Sequence, residues 1–223
     1  MTSCHVNLNG ETNYTYENPE RYNIGDATFE QPVNKIDVDW LDGDIDIVYA
    51  DHPGVRIYEK ADSVLNDSLR MHHYVDNDGC LNIQFCKSGK YKTMRLNNLG
   101  KHLTIEVPRG TMLDEIDMDL VSVIINIDSV VTRKLDVDGV SFDISAFYPS
   151  LPNEINIDGV NCLLNLSTPL DAGMTIEMDG VKKHLNITSE RPTRKEDKKT
   201  IIGDGKCEID IDGVNCTLNI NEL

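Results

Sequence analysis

Alanine is scarce in this chain, with five copies in 223 residues, and tryptophan is scarcer, with one. The shortage of alanine removes the best helix former, while Ile, Val, Leu and Asn recur throughout, a mixture that favours strands. Positive charge is short as well: 21 Lys and Arg stand against 38 Asp and Glu, a formal charge of −17. Phosphate binding runs on Lys and Arg, so this balance argues against a nucleic-acid partner and disfavours an anionic membrane surface. No run approaches the roughly eighteen consecutive apolar residues of a membrane-spanning helix, and no apolar signal-peptide core stands near the start. With 39% hydrophobic and 26% charged residues, the chain still has enough apolar side chains for a packed core.

Familiar chemical motifs are missing too. There is no CxxC pair, HExxH, Gly-rich phosphate loop or nucleophile elbow, which argues against structural zinc and the common hydrolase and nucleotide sites. Of the six cysteines, Cys80 and Cys86 fall on one face of one expected strand about 20 Å apart. Cys162 and Cys216 occupy equivalent places two repeats apart, about 9.5 Å, beyond disulfide reach, and read as buried thiols. His72 and His73 are strand neighbours facing opposite sides, which is no ligand pair. Triplets of Asn-x-Ser/Thr at Asn13, Asn66, Asn165, Asn186 and Asn215 follow from the asparagine content and do not indicate glycosylation. Met1-Thr2-Ser3-Cys4 has the form of the end of a lipoprotein cleavage box, although a chance cysteine beside a start codon is the plainer reading. With an export signal upstream of Met1 the protein is extracytoplasmic or at the cell surface, and otherwise cytoplasmic.

What is abundant is an internal repeat. LDVDGVSFDIS from Leu135, INIDGVNCLLNLS from Ile155, IEMDGVKKHLNIT from Ile176 and IDIDGVNCTLNIN from Ile209 align without gaps. IDMDLVSVIINID from Ile116 joins them with Leu120 in place of the glycine. The aspartate before the turn recurs at 119, 138, 158, 179 and 212, in steps of 19, 20, 21 and 33. Two short strands in about twenty residues is the signature of a β-solenoid coil. Period-two alternation sends Val160, Cys162, Leu164 and Leu166 to one face, with Val121, Val140 and Val214 in the slot of Val160. Lys183 breaks the apolar pattern in the slot of Val123, Phe142, Cys162 and Cys216. The long last step holds ERPTRKEDKK from Glu190 to Lys199, expected as an exposed loop followed by a return strand near Thr200–Ile202.

Ahead of the regular repeats, strands are expected at Ile36–Val38, Ile45–Tyr49, Val55–Tyr58, Met71–Val75, Leu81–Phe85 and Leu103–Val107, separated by Gly- and Pro-containing turns. The expected fold is all-β: a single-domain β-solenoid over 35–223, regular from about 116, with a looser N-terminal sheet region and 1–34 as lead-in or cap. A solenoid end left open presents unpaired backbone, so the C-terminal coil is expected to be covered by the N-terminal segment or used in a homodimer.

The stretch YENPERYNIGDATFEQPVNKIDVDWLDGDIDIVY from Tyr16, the later LTIEVPRG and the repeated DGV coils resemble the bacterial putative-adhesin family, a domain of unknown function. The most specific piece is Tyr22–Gly25 followed by IDVDWLDGDIDI. That resemblance implies stacked β-coils and a cell-surface or envelope role, and brings no catalytic residues.

The remaining candidate chemistry is acidic. Stacked in register, Asp138, Asp158 and Asp179 make a ladder about 4.8 Å apart, with Asp136, Asn156 and Glu177 as a second file. Turn capping explains these aspartates; a weak cation site is the second reading, with calcium its natural guest, and catalysis the third. Asp37, Asp39, Asp42 and Gly43 miss EF-hand spacing because Leu41 holds a ligand slot. The sequence therefore points to a non-catalytic envelope binding or scaffold module, with an unidentified protein or glycan as partner. The alternative is a carbohydrate-active or cation-dependent β-helix enzyme using the ladder, although aromatic platforms for a sugar are short at 6%.

Overall fold

The computed structural model describes residues 3–6, 11–96, 99–189 and 191–223. Met1 and Thr2 of the cleavage-box reading and Glu190 of the charged insertion lie outside the described residues. The lead-in carries β1 (Ser3–Val6), β2 (Glu11–Thr15), β3 (Asn23–Ile24) and β4 (Ala27–Phe29). After β5 (Lys35–Ala50) come β6 (Val55–Lys60), β7 (His72–Val75), β8 (Cys80–Gln84), β9 (Gly89–Lys92), one helical turn α1 (Thr93–Leu96) and β10 (His102–Pro108). The remainder is β11 (Met112–Asp128), β12 (Val131–Phe147), β13 (Glu154–Thr168), β14 (Met174–Thr188), β15 (Thr193–Glu196), β16 (Lys199–Ile202) and β17 (Cys207–Glu222). The protein is nearly all β, as its Ile- and Val-rich, Ala-poor composition favours.

Six long strands, β5, β11, β12, β13, β17 and β14 in spatial order, pair in parallel and in register. Ser129 and Val130 alone join β11 to β12. Flat parallel strands need a crossover of about a dozen residues, so such a short link requires the strands themselves to bend. Burial shows where. In β13 Ile155 and Ile157 are buried, then Cys162, Leu164 and Leu166, so the inward phase moves from odd to even positions across the corner. The valines expected to face the core are therefore outside it: Val140, Val160 and Val214 are 50%, 44% and 49% exposed, and Val121 38%. At the next position back, a Cβ on Gly213 would lie 2.1 Å from the Gly159 carbonyl oxygen. Close stacking of corners, rather than a left-handed φ, is what demands glycine there.

Two expectations about order are corrected. The in-register ladder starts at Lys35, not near residue 116, because the two strands expected in 36–49 are one bent strand whose Asp39 faces Asp119. And β17 does not stack last; it lies between β13 and β14, paired along its length on both sides. The physical reason is Lys183. An inward lysine cannot sit between two apolar layers without a buried partner, whereas Cys216 repeats the small apolar residue of β13. At the outermost strand Lys183 instead turns its Nζ back to the Met178 carbonyl at 2.6 Å.

One end of the ladder is covered: β5 pairs beyond β11 with β8 and β10, and β6, β7, β3 and β4 continue the sheet. At the other end, β16 covers only Met174–Ile176 of β14. From Glu177 onward β14 has no outer strand partner among the described residues. The exposed end expected of the C-terminal coil thus belongs to β14. The charged insertion forms a hairpin, β15 with β16, rather than a plain loop, and all four residues of β15 are exposed.

Candidate binding face

The side chains opposite the core on the first half of each long strand fall into three columns. Nearest the corner stand Asp39, Asp119, Asp138, Asp158, Asp212 and Asp179, in that spatial order. The second column is Asp37, Asp117, Asp136, Asn156, Asp210 and Glu177, and the third Lys35, Glu115, Lys134, Glu154, Glu208 and Thr175. Fourteen acidic side chains thus face two lysines, and most of the chain's charge of −17 sits on this one face. The expected neighbours Asp138 and Asp158 are opposite each other, while Asp212 separates Asp158 from Asp179.

Protonation follows position. In the middle of the face, burial and then Asp158 and Asp119 raise the Asp138 carboxyl above its usual range. Burial and then Glu177 do the same for Asp210. Asp37 is pushed up to about 6, by burial first and Asp117 second. At the β14 end Lys198, 3.1 Å from Asp179, holds that carboxyl below the usual range. Lys35 spans Glu115 at 2.7 Å and Asp117 at 3.2 Å, and Lys134 reaches Asp136 at 2.6 Å. Cations therefore line the rims, while the central aspartates repel one another through water and salt. The carboxylates stand in files rather than converging: among the described residues no group of three or more His, Cys, Asp or Glu is placed to hold a metal ion.

At the β5 end the face runs into a crevice of about 180 Å³, where Asp37, Asp39, Asp117 and Asp119 meet Tyr16, Tyr22 and Tyr74. The Tyr22 ring packs 4.6 Å from both Tyr16 and Tyr74, and the Arg21 guanidinium lies 4.8 Å over Tyr74. Gln84, at the crevice wall, donates from Nε2 to Asp39. The tyrosines come from the lead-in and β7, and only the pairing of β3 with β7 and of β8 with β5 brings them here. A second hollow, around Asp138, is lined by Tyr14, Asp39, Trp40, Leu41, Asp119, Leu120, Val121 and Gly139, with no basic residue among them. A glycosidic acid–base pair with a cation beside it is not what this lining offers. On the other side of the corner, side-chain amides form a ladder, Asn219 donating to Asn165 at 2.7 Å and Asn186 to Asn219 at 2.8 Å.

No family model matches the chain, and no curated protein matches it. Among solved structures, a putative cell adhesion protein from Clostridium sporogenes ATCC 15579 aligns with a TM-score of 0.68 at 15% identity, covering 90% of this chain and 100% of that one. The chain shares that protein's fold. The resemblance to bacterial putative adhesins read from Tyr16–Tyr49 and the repeats is thus present in three dimensions. A putative adhesin from Bacteroides fragilis NCTC 9343 aligns over 88% of this chain and 97% of its own, at 15% identity and a TM-score of 0.39, a similarity too low to bear on the fold. No helix among the described residues is long and apolar enough to cross a membrane.

Proposed function

We propose that the chain is a non-catalytic, adhesin-like binding module of the bacterial cell envelope, that residues 35–223 form one β-solenoid domain behind the 1–34 lead-in, and that the acidic face with its tyrosine crevice is the binding surface. The observation that carries this reading is the fold shared, over 90% of this chain, with a putative cell adhesion protein. The solenoid is supported by in-register parallel strands joined through links as short as Ser129-Val130. A non-catalytic role is supported by carboxylates in files and by the absence of a basic residue in the hollow at Asp138. The partner is an envelope protein or glycan that presents cationic groups, since fourteen carboxylates against two lysines attract cations and repel anionic surfaces. Tyrosine faces beside carboxylates suit such groups at the crevice.

The test is binding of the purified chain to arrays of basic peptides and of neutral, acidic and amino-sugar glycans, at low and high salt. Salt-sensitive retention of cationic members, abolished by Asp138→Lys with Asp158→Lys, is the expected result. Retention that ignores both salt and these substitutions, or turnover of any glycan, overturns the reading.

A further inference from the structure

We propose that Cys162 and Cys216 form a built disulfide site that joins β13 to β17. The two residues are direct partners in the parallel ladder, and their Sγ atoms lie 3.0 Å apart. Non-bonded carbon atoms keep roughly 3.5–4.0 Å and sulfur is no smaller, so the two sulfurs are already inside ordinary contact. Neighbouring strands stand about 4.8 Å apart, within the Cα separation of about 4.4–6.8 Å that a disulfide spans. Both side chains point inward from the same strand half and are buried, at 6% and 1% exposure. The room they occupy is made by the corners: a Cβ on Gly159 would meet Cys162 Sγ at 2.8 Å, and one on Gly213 would meet Cys216 Sγ at 2.6 Å.

Oxidation proceeds by thiol–disulfide exchange. A thiolate of one cysteine attacks a sulfur of a disulfide donor, forming a mixed disulfide and releasing one donor thiol. The second thiolate then displaces the other donor thiol. Two protein thiols lose two protons and two electrons, and the donor disulfide is reduced to two thiols. Burial, with Cys216 beside it, raises the Cys162 thiol above its usual range. Exchange is therefore fastest while the chain folds and slow once β17 is seated. The bond closes a loop between positions 54 apart in sequence.

The experiment refolds the full chain at mildly alkaline pH in a glutathione redox buffer, alkylates residual thiols and maps peptides by mass spectrometry. The expected product has lost two hydrogens, carries a Cys162–Cys216 cross-link, melts about 10 °C above the reduced chain and reverts with dithiothreitol. Cys162→Val, which copies the Val123 slot, should fold, lack the cross-link and show no redox-dependent melting. Alkylation of both cysteines in the refolded protein, glutathione retained on either, or a cross-link to Cys86 or Cys207 overturns the proposal. Thiol mapping of protein taken from cells is a separate question. A reduced pair there, with the cross-link forming on refolding, counts against the envelope reading and leaves the site standing.

Discussion

Lys101 Nζ lies 2.6 Å from Glu59 Oε2, with both side chains buried. The same ammonium donates to the carbonyls of Leu69, at 2.9 Å, and Phe85, and packs 4.8 Å over Trp40 and 4.4 Å over Phe85. One buried cation therefore ties β6, the start of β10, the end of β8 and the middle of β5. Lys101→Met leaves the buried Glu59 carboxylate with only the more distant Arg70, at 3.9 Å, as counter-ion, and should lower stability by about 3 kcal/mol in urea unfolding. Adding Glu59→Gln removes the stranded charge and should recover part of that loss, a coupling that a double-mutant cycle measures.

Asp37 gives the acidic face a measurable pH signature. Its folded pKa of about 6 exceeds the unfolded value of about 3.9, so ionisation opposes folding above pH 6 and the penalty fades as pH falls toward 4. Asp37→Asn should raise stability at pH 7 by about 1–2 kcal/mol, after discounting for solvent screening. Melting curves of the two proteins should converge near pH 4.

His73 acts in the opposite direction. Burial lowers its pKa to about 4, against about 6.5 in the unfolded chain. The unfolded state then binds a proton that the folded state refuses, so stability falls as pH drops from about 6.5 to 4, by roughly 2–3 kcal/mol. An NMR titration should place the His73 midpoint near 4, and His73→Gln should flatten this part of the stability profile. His72 and His73 are both buried, His73 with its ring 5.4 Å from Phe29.

Lys183 guards the open edge. Val181 beside it is 79% exposed, and Leu185 and Ile187 are only half-buried, so the slot next to β14 is where another strand would add. A charged lysine on an edge strand opposes such pairing. Lys183→Val should leave the fold intact and increase concentration-dependent association relative to the unsubstituted chain, read by light scattering after size exclusion.

Period-two apolar spacing made the repeats legible, and aspartates in register made the acidic columns legible. The corner valines were misplaced because alternation was carried straight through a bend that changes its phase. The position of β17 was written in the chain, since Val-Asn-Cys after the turn glycine occurs in β13 and β17 alone. Taking strand order from sequence order hid it, and with it the contact of Cys162 and Cys216. The crevice was not legible at all. Tyr16, Tyr22 and Tyr74 lie outside the repeats and meet Asp37 only through pairings distant in sequence.

The interleaving of β17 also bears on the order in which the protein can be assembled. β14 is synthesised first yet rests against β17 rather than β13. Until residues 207–222 have been made, β13 has no neighbour on that side and the Met174–Thr188 segment has no parallel strand to lie against. The sheet therefore cannot grow row by row as the chain emerges. Its last two rows close together, which leaves the backbone edge of β13 unpaired during translation for as long as β14 and its hairpin wait.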